Sequence, residues 1–396
     1  VTAWRGLAIA VVLWALGLLA AAGPPPAPGA AAPARCADAG PLDATLFLLG
    51  DAGAPRPEGE PVLAALAAAG ADAVARVGGA RAAAVFLGDN AYPDGVPAED
   101  GRERRQAEQR LGAQLDAVRR AGLRAWFVPG NHDWASGGDD GAARIRAQTA
   151  LLAASGVAAA APADGCPGPV TAALGDRLGL VLLDTAWWLH PGPRPRASDT
   201  ACPTGSPEAV TAALAAALRA AAEDGRHAIV LAHHPLVSGG PHGAAFDWSD
   251  HLFPLRALHP ALLLPLPIVG SSYPLARRLG VSAQDLPSKS YTKMRRLIEG
   301  ALSAAPPLVY AAGHDHGLQL LRGESARWHL VSGAGSSRLV TFARPVDGTV
   351  FAAGRPGFAR LDAYAGGAVA VAFVTTSPDA PPREPFSACL AEAEPP

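Results

Sequence analysis

Lysine is nearly missing from this 396-residue chain: Lys289 and Lys293 are the only two, and methionine occurs once. Charged residues make up 17% of the chain and the formal net charge is −2, which excludes a protein that coats nucleic acid through a basic surface. A small anionic substrate is not excluded, because a bound cation supplies a positive field locally. Ala, Gly, Pro and Arg fill the space, a skew that reads as GC-rich coding rather than as a functional signal. Cysteine is also scarce. The four present show no zinc-type spacing, so no metal is assigned to them.

Long apolar runs are missing too, apart from the first segment. Arg5 precedes an apolar stretch from Gly6 to about Ala22 that closes on Ala20, Ala21 and Ala22. Residues 1–22 therefore read as a signal peptide, with an uncleaved membrane anchor as the alternative, since the run is just short of the ~20 residues a spanning helix needs. Either reading sends the rest of the chain out of the cytoplasm: secreted, periplasmic or attached to the cell envelope. Ala34-Arg35-Cys36 argues against a lipoprotein, because a charge stands where small residues are wanted. In an exported chain four cysteines suggest two disulfides, with three connectivities open. Cys166 and Cys202 share a Gly/Pro-rich middle region and Cys36 and Cys389 lie near the two ends, which suggests those two pairings.

The length suits one large α/β domain or two smaller ones, with a core that needs no staple. Short apolar runs at 45–49, 83–87, 125–128, 178–183, 228–231 and 308–311 read as strands. Ala/Leu-rich stretches at 61–77, 99–121, 142–154, 207–223 and 289–303 read as helices, and the alternation argues for βαβ units. After His316 the runs 318–321 and 328–331 look antiparallel. Residues 23–40 read as a Pro/Ala-rich linker, 41–376 as a single domain, and 377–396 as a Pro-rich tail. Residues 255–269 are dense in Leu and Pro without a period. Packing against the core is the plainer reading, and an exposed lip meeting lipid or a partner is the sharper one.

Each strand of the first half, and two later ones, runs directly into residues that bind metals. The five sequences are Gly50-Asp51-Ala52-Gly53, Gly88-Asp89-Asn90-Ala91-Tyr92, Gly130-Asn131-His132-Asp133, Val230-Leu231-Ala232-His233 and Gly313-His314-Asp315-His316. Carboxyl ends of strands in open α/β sheets line one crevice, so these clusters are expected to converge. Singly each is weak: a Gly-Asp pair is usually a turn, and a lone histidine is usually a packed one. Their joint occurrence in this order is not weak.

The order GD-x-G, GD-x-x-Y, GNH-[DE], V-x-x-H, GH-x-H resembles the metal-binding signature of the purple acid phosphatases, within the calcineurin-like metallophosphoesterases. Gly88–Val96, residues 313–319 and Ser332-Gly333-Ala334-Gly335 are similar to the small tartrate-resistant type, and the resemblance spans about residues 45–340. It implies an α/β sandwich of two mixed β-sheets flanked by helices, in a single catalytic domain. An insertion of about 245–287 departs from the small type. The resemblance further implies that Asp51, Asp89, Tyr92 and His316 hold one metal, and that Asp89, Asn131, His233 and His314 hold a second, with Asp89 bridging. His233 rather than His234 matches the V-x-x-H histidine. Most calcineurin-like enzymes place a histidine two residues after the first aspartate, and this chain has Gly53. Tyr92 is the candidate replacement, and a tyrosinate suits a trivalent iron. The implied cofactor is Fe(III) with a divalent Fe, Zn or Mn.

Such a pair brings about +5 against about −3 from two carboxylates and a phenolate, which leaves about +2 to attract a phosphate. The implied reaction is hydrolysis of a small phosphate monoester by a metal-bound hydroxide at paired metals about 3.5–4 Å apart, without a covalent enzyme intermediate. His132 and His242 are implied on the substrate side, His132 binding phosphate or protonating the leaving group; a loop histidine without a role is the alternative for His242. A phosphodiesterase or nucleotide pyrophosphatase with the same metals stays open, as does a non-catalytic binding protein on this fold. That last reading is opposed by the filled set of metal positions. Asp133, the Trp187-Trp188 pair, the cluster Asp247, Asp250 and His251, and the basic Lys289, Lys293, Arg295 and Arg296 all read more simply as structural or solvated. No nucleic acid is expected. Membrane contact through the first segment or the insertion is left open, and oligomeric state is unread.

Overall fold

The computed structural model describes residues 36, 39–196, 202, 204–257 and 262–393. The signal or anchor segment 1–22 and most of the linker 23–40 lie outside the described residues. The elements run β1 (Leu42–Leu49), α1 (Pro61–Val77), β2 (Ala82–Leu87), α2 (Arg102–Ala121), β3 (Arg124–Val128), α3 (Gly141–Ala154), β4 (Ala158–Ala160), β5 (Val170–Leu174) and β6 (Leu178–Leu182). There follow α4 (Ala186–Leu189), α5 (Pro207–Glu223), β7 (His227–Leu231), α6 (Trp248–Leu252), α7 (Ser272–Arg278), α8 (Lys289–Leu302) and β8 (Val309–Ala312). Strands β9 (Leu318–Arg322), β10 (Trp328–Ser332), β11 (Thr349–Ala353), β12 (Gly357–Tyr364), β13 (Val369–Ser377) and β14 (Ala380–Ala391) complete it.

Two mixed seven-stranded sheets result, in the orders β14-β13-β12-β1-β2-β3-β4 and β11-β9-β10-β8-β7-β6-β5. The central strands of both sheets are buried on both faces, so side chains that alternate between the faces are apolar at successive positions. Leu46, Leu48, Val85 and Leu87 of the first sheet meet Leu180, Leu182, Ile229 and Leu231 of the second in a shared core. Their neighbours Phe47, Leu49 and Phe86 face outward onto Leu63, Leu66 and Leu115 of α1 and α2. Val181 and Val230 pack against Leu214 of α5 and Ile298 of α8. The strands therefore read as unbroken apolar runs, and the architecture is the expected two-sheet α/β sandwich. Helix α5 starts where Ser206 accepts from the Ala209 N–H with Pro207 at the first position, and α2 stops at the left-handed Gly122.

The disulfides are Cys36–Cys389 and Cys166–Cys202. The segment after Ser377, read from sequence as a tail, instead carries β14, paired along β13 and fastened through Cys389. Pro381 and Pro382 suggested a tail, but on an edge strand an absent N–H leaves no ladder partner unmet. Among the described residues the insertion is anchored on the body by buried Phe246 and Leu286 and by Asp247 and Asp250 on Arg344, while its middle leaves large apolar side chains exposed. Among the described residues no helix is long and apolar enough to cross a membrane.

Candidate metal centre

The carboxyl ends of β1, β2 and β3 in one sheet and of β7 and β8 in the other meet at one edge of the sandwich. Backbone bonds tie four of these loops in pairs, Asp51 N–H donating to Gly88 and Gly313 N–H to His233, and Gly50 N–H donates to Ser332 at the end of β10. Three of the residues expected to bind metal, Asp51, Asp89 and His314, sit at φ of 60°, 56° and 69°. Left-handed backbone at non-glycine positions is uncommon, and here it turns each side chain back across the end of its strand. Gly130 makes the approach feasible, since a Cβ there would stand 2.2 Å from Asp89 Oδ1.

The side chains form two adjacent sets. In the first, Tyr92 Oη lies 3.1 Å from Asp51 Oδ1, 3.0 Å from Asp89 Oδ2 and 3.2 Å from His316 Nε2, with His316 Nε2 3.3 Å from Asp51 Oδ1. In the second, His233 Nε2 lies 3.0 Å from Asn131 Oδ1, 3.3 Å from His314 Nδ1 and 3.5 Å from Asp89 Oδ1. His314 Nδ1 is 3.1 Å from Asn131 Oδ1. Asp89 thus turns one oxygen to each set. All seven metal-ligand candidates from the sequence converge, together with His132 and His242 beside them.

Whether this donor set fits metals is tested by the far side of each imidazole. His233 Nδ1 is 2.8 Å from the Leu87 carbonyl, His316 Nδ1 is 2.9 Å from that of Leu339, and His314 Nε2 is 2.8 Å from that of Gln284. A carbonyl only accepts, so each outer nitrogen carries a proton, and in the neutral ring each inner one presents a lone pair. His233 Nε2, His314 Nδ1 and Asn131 Oδ1 then face one another as acceptors with no donor among them. Ligand atoms about 2.0–2.2 Å from a common ion stand about 3.0–3.5 Å apart, which is the spacing found here. The residues fit a pair of cations.

Gly53 explains the unusual tyrosine. A Cβ at Gly53 would come within 2.4–2.5 Å of the backbone of residues 89–91. The loop after β2 lies directly on it, with Gly53 N–H donating to Asp89 and Tyr92 N–H to Gly53. No histidine can occupy position 53, and the same packing brings the Tyr92 hydroxyl into the first set.

Electrostatics without cations show the strain of gathering these groups. Burial lowers His316, but Asp51 and Asp89 outweigh it and lift it to about 9. Burial raises Asp89, but His233 and His132 outweigh it and hold it at about 2. Burial, then Asp89 and Asp51, push the Tyr92 phenol well above its ordinary value.

Two further histidines flank the sets. His132 stacks on Tyr92 with ring centroids 4.4 Å apart; its Nδ1 meets the Pro93 carbonyl and its Nε2 stands 3.9 Å from Asp89 Oδ2. His242 stacks on His314 at 3.9 Å and its Nδ1 lies 3.0 Å from Asp285 Oδ1, an oxygen also paired with Arg277 at 2.9 Å. His132 thus keeps Nε2 toward Asp89, and His242 engages its partners through Nδ1. His234 is occupied on both sides, by Thr185 Oγ1 at 2.9 Å and Gln284 Oε1 at 2.8 Å, so it stands outside the donor sets. Gln284 and Asp285 were not singled out from sequence, and no local pattern marks them.

The remaining candidates are structural. Asp133 is buried and accepts from Asn90 and Gly130, pinning two loops together. Trp187 is core, with its backbone N–H on Asp184 and its indole N–H on the Pro195 carbonyl. Asp247 and Asp250 form the capping box of α6 and pair with Arg344. Lys289, Lys293 and Arg296 lie on the solvated face of α8, where Arg295 pairs with Glu299.

Neither a family profile nor a curated protein sequence matches the chain. Solved structures do. A purple acid phosphatase from yellow lupin (Lupinus luteus) seeds aligns with a TM-score of 0.50 at 13% identity, over 88% of this chain and 54% of its own, so this chain spans about half of it. PhoD aligns with a TM-score of 0.50 at 11% identity, over 90% of this chain and 70% of its own. GAP50, described as the anchor in the inner membrane complex of Plasmodium, aligns with a TM-score of 0.48 at 14% identity, over 87% and 88%. At such identities the likeness extends to the fold, and the fold is of the metallophosphoesterase type.

Proposed function

We propose that this chain is a metal-dependent phosphohydrolase that cleaves phosphate monoesters at a binuclear Fe(III)–M(II) centre, M being Fe, Zn or Mn. The observation that carries the reading is the position of Asp89, one carboxylate oxygen in each of two donor sets, with Tyr92 filling the space that Gly53 cannot. In this reading Asp51, Asp89, Tyr92 and His316 hold the trivalent ion, and Asp89, Asn131, His233 and His314 the divalent one. When bound, the pair supplies Lewis acidity and an activated water for in-line displacement at phosphorus.

The chain's own residues do the rest. Asp51 and Asp89 bring formal negative charge to a buried edge, and Tyr92 adds to it when a cation ionises the phenol, so cations are required before a phosphate can approach. His132 and His242 present two Nε2 atoms on the substrate side, suited to the extra charged oxygen that a monoester has and a diester lacks. His132, held through Nδ1 by Pro93, is the group placed to give a proton to the departing alkoxide. Two disulfides favour an exported, oxidising location.

Metal analysis and a visible spectrum of purified protein test the proposal. Iron with a tyrosinate charge-transfer band is expected, and Tyr92→Phe should abolish the band. A colourless, fully active di-zinc protein would overturn the iron assignment, and faster turnover of a chromogenic diester than of a monoester would overturn the substrate class.

A further inference from the structure

Large apolar side chains are exposed almost entirely in one place. Of eleven such residues among those described, nine fall between Trp248 and Val281. Ile268 is 90% exposed, Val281 77% and Trp248 62%, with Leu263, Leu264 and Leu279 beside them in the same segment. The described residues of this segment are tied to one another rather than strung out as a loose loop. Leu266 N–H donates to the Leu252 carbonyl, Gly270 lies against the His251 carbonyl, and Arg278 donates to the Phe246 carbonyl. The ring of Tyr273 packs edge-on against Phe246 at 5.5 Å. Helices α6 and α7 thus hold the apolar residues up as a lip.

Charge selects the occupant. Between Asp250 and Asp285 the sequence has Arg256, Arg277 and Arg278 and no carboxylate, and Asp247 and Asp250 just before them are engaged by Arg344 of the body. Asp285 compensates Arg277, whereas Arg278 meets only a neutral carbonyl. Apolar residues, an exposed tryptophan and surplus arginine together match the boundary layer of an anionic bilayer, where indole rings settle and headgroups attract cations. We infer that this lip docks on an anionic lipid surface, by shallow insertion and not by spanning. The segment ends at Gln284 and Asp285, which touch His314 and His242, so docking would bring the metal centre close to the lipid headgroups.

Docking is measured without reference to catalysis. Full-length protein is mixed with phosphatidylcholine vesicles that contain or lack phosphatidylserine. The expected results are cosedimentation that depends on phosphatidylserine and weakens with salt, and quenching of Trp248 by brominated lipid. Trp4 and Trp14 lie within residues 1–22, so the Trp248 signal is taken as the difference between the parent and Trp248→Phe. The triple variant Leu263→Glu, Ile268→Glu, Val281→Glu should lose affinity by about 100-fold or more, given about 1.5–3 kcal/mol per large apolar side chain buried. Its thermal midpoint should not change, since all three are exposed. Unchanged cosedimentation of the triple variant, or no Trp248 quenching, would overturn the inference. So would a concentration-dependent dimer in the ultracentrifuge that the triple variant abolishes, since the lip would then be covered by a second copy.

Discussion

The two halves of the candidate centre share Asp89 and differ in everything else. The half around Tyr92 adds the Asp51 carboxylate and a phenol that can ionise, with His316 as its single nitrogen. The half around Asn131 adds no charge at all: a neutral amide oxygen and the imidazoles of His233 and His314. In the proposed reading a hard anionic cage beside a neutral nitrogen-rich one suits two different ions, the more highly charged on the tyrosine side. The asymmetry has a steric origin in Gly53, where there is no room for the nitrogen ligand that would make the halves alike.

The most damaging way to break the comparison is at the shared residue. Asp89→Asn removes a charge from both halves at once, and leaves the lone pairs of His233 and His314 facing each other without the neighbouring carboxylate. Loss of both metals and of about 10³-fold or more in kcat is expected, checked by elemental analysis beside single-substrate kinetics. Retention of one metal with most of the activity would mean that the halves are independent sites.

The centre was legible in the sequence because each candidate ligand follows a strand within a few residues, and strand ends are where the chain repeats its grammar. Asp51, Asp89 and His314 needed only the expectation that strands run together. The supporting groups carried no such mark. Gln284 acts on His314 through a backbone carbonyl, which any residue possesses, and it stands at the end of an insertion without a period. Asp285 reaches His242 across 43 positions of chain, a pairing that only the fold creates. The sheets were legible in their central strands, buried on both faces, and not at the edges. Short β4 and the proline-bearing β14 have little apolar pattern to read, because an edge strand is half solvated.

A subtler change reaches only the neutral half. Asp285→Asn keeps the shape of the His242 support but weakens its hold on Nδ1 and leaves Arg277 without its counter-charge. His242 leans on His314, so disturbance should spread to the second donor set and spare Tyr92. About 10–100-fold lower activity is expected, with a displaced pH profile and an unchanged charge-transfer band. A shifted band would show that the halves communicate through the insertion.

The effect with the least bearing on the comparison touches neither half and sets the acid limit of the scaffold that both depend on. Burial alone depresses His329, in β10, to about 4 from an ordinary 6.5. Its neutral form is the one the fold accepts, so below pH 6.5 the unfolded chain takes up a proton that the folded chain refuses. Stability is therefore full above pH 6.5 and falls as pH drops toward 4, where the loss levels off at about 3 kcal/mol. His329→Asn, which has no proton to gain, should flatten the thermal midpoint across that window while remaining somewhat lower at pH 7 from the smaller side chain. An activity decline below pH 6.5 that persists in His329→Asn belongs to the metal halves, and one that vanishes belongs to the fold.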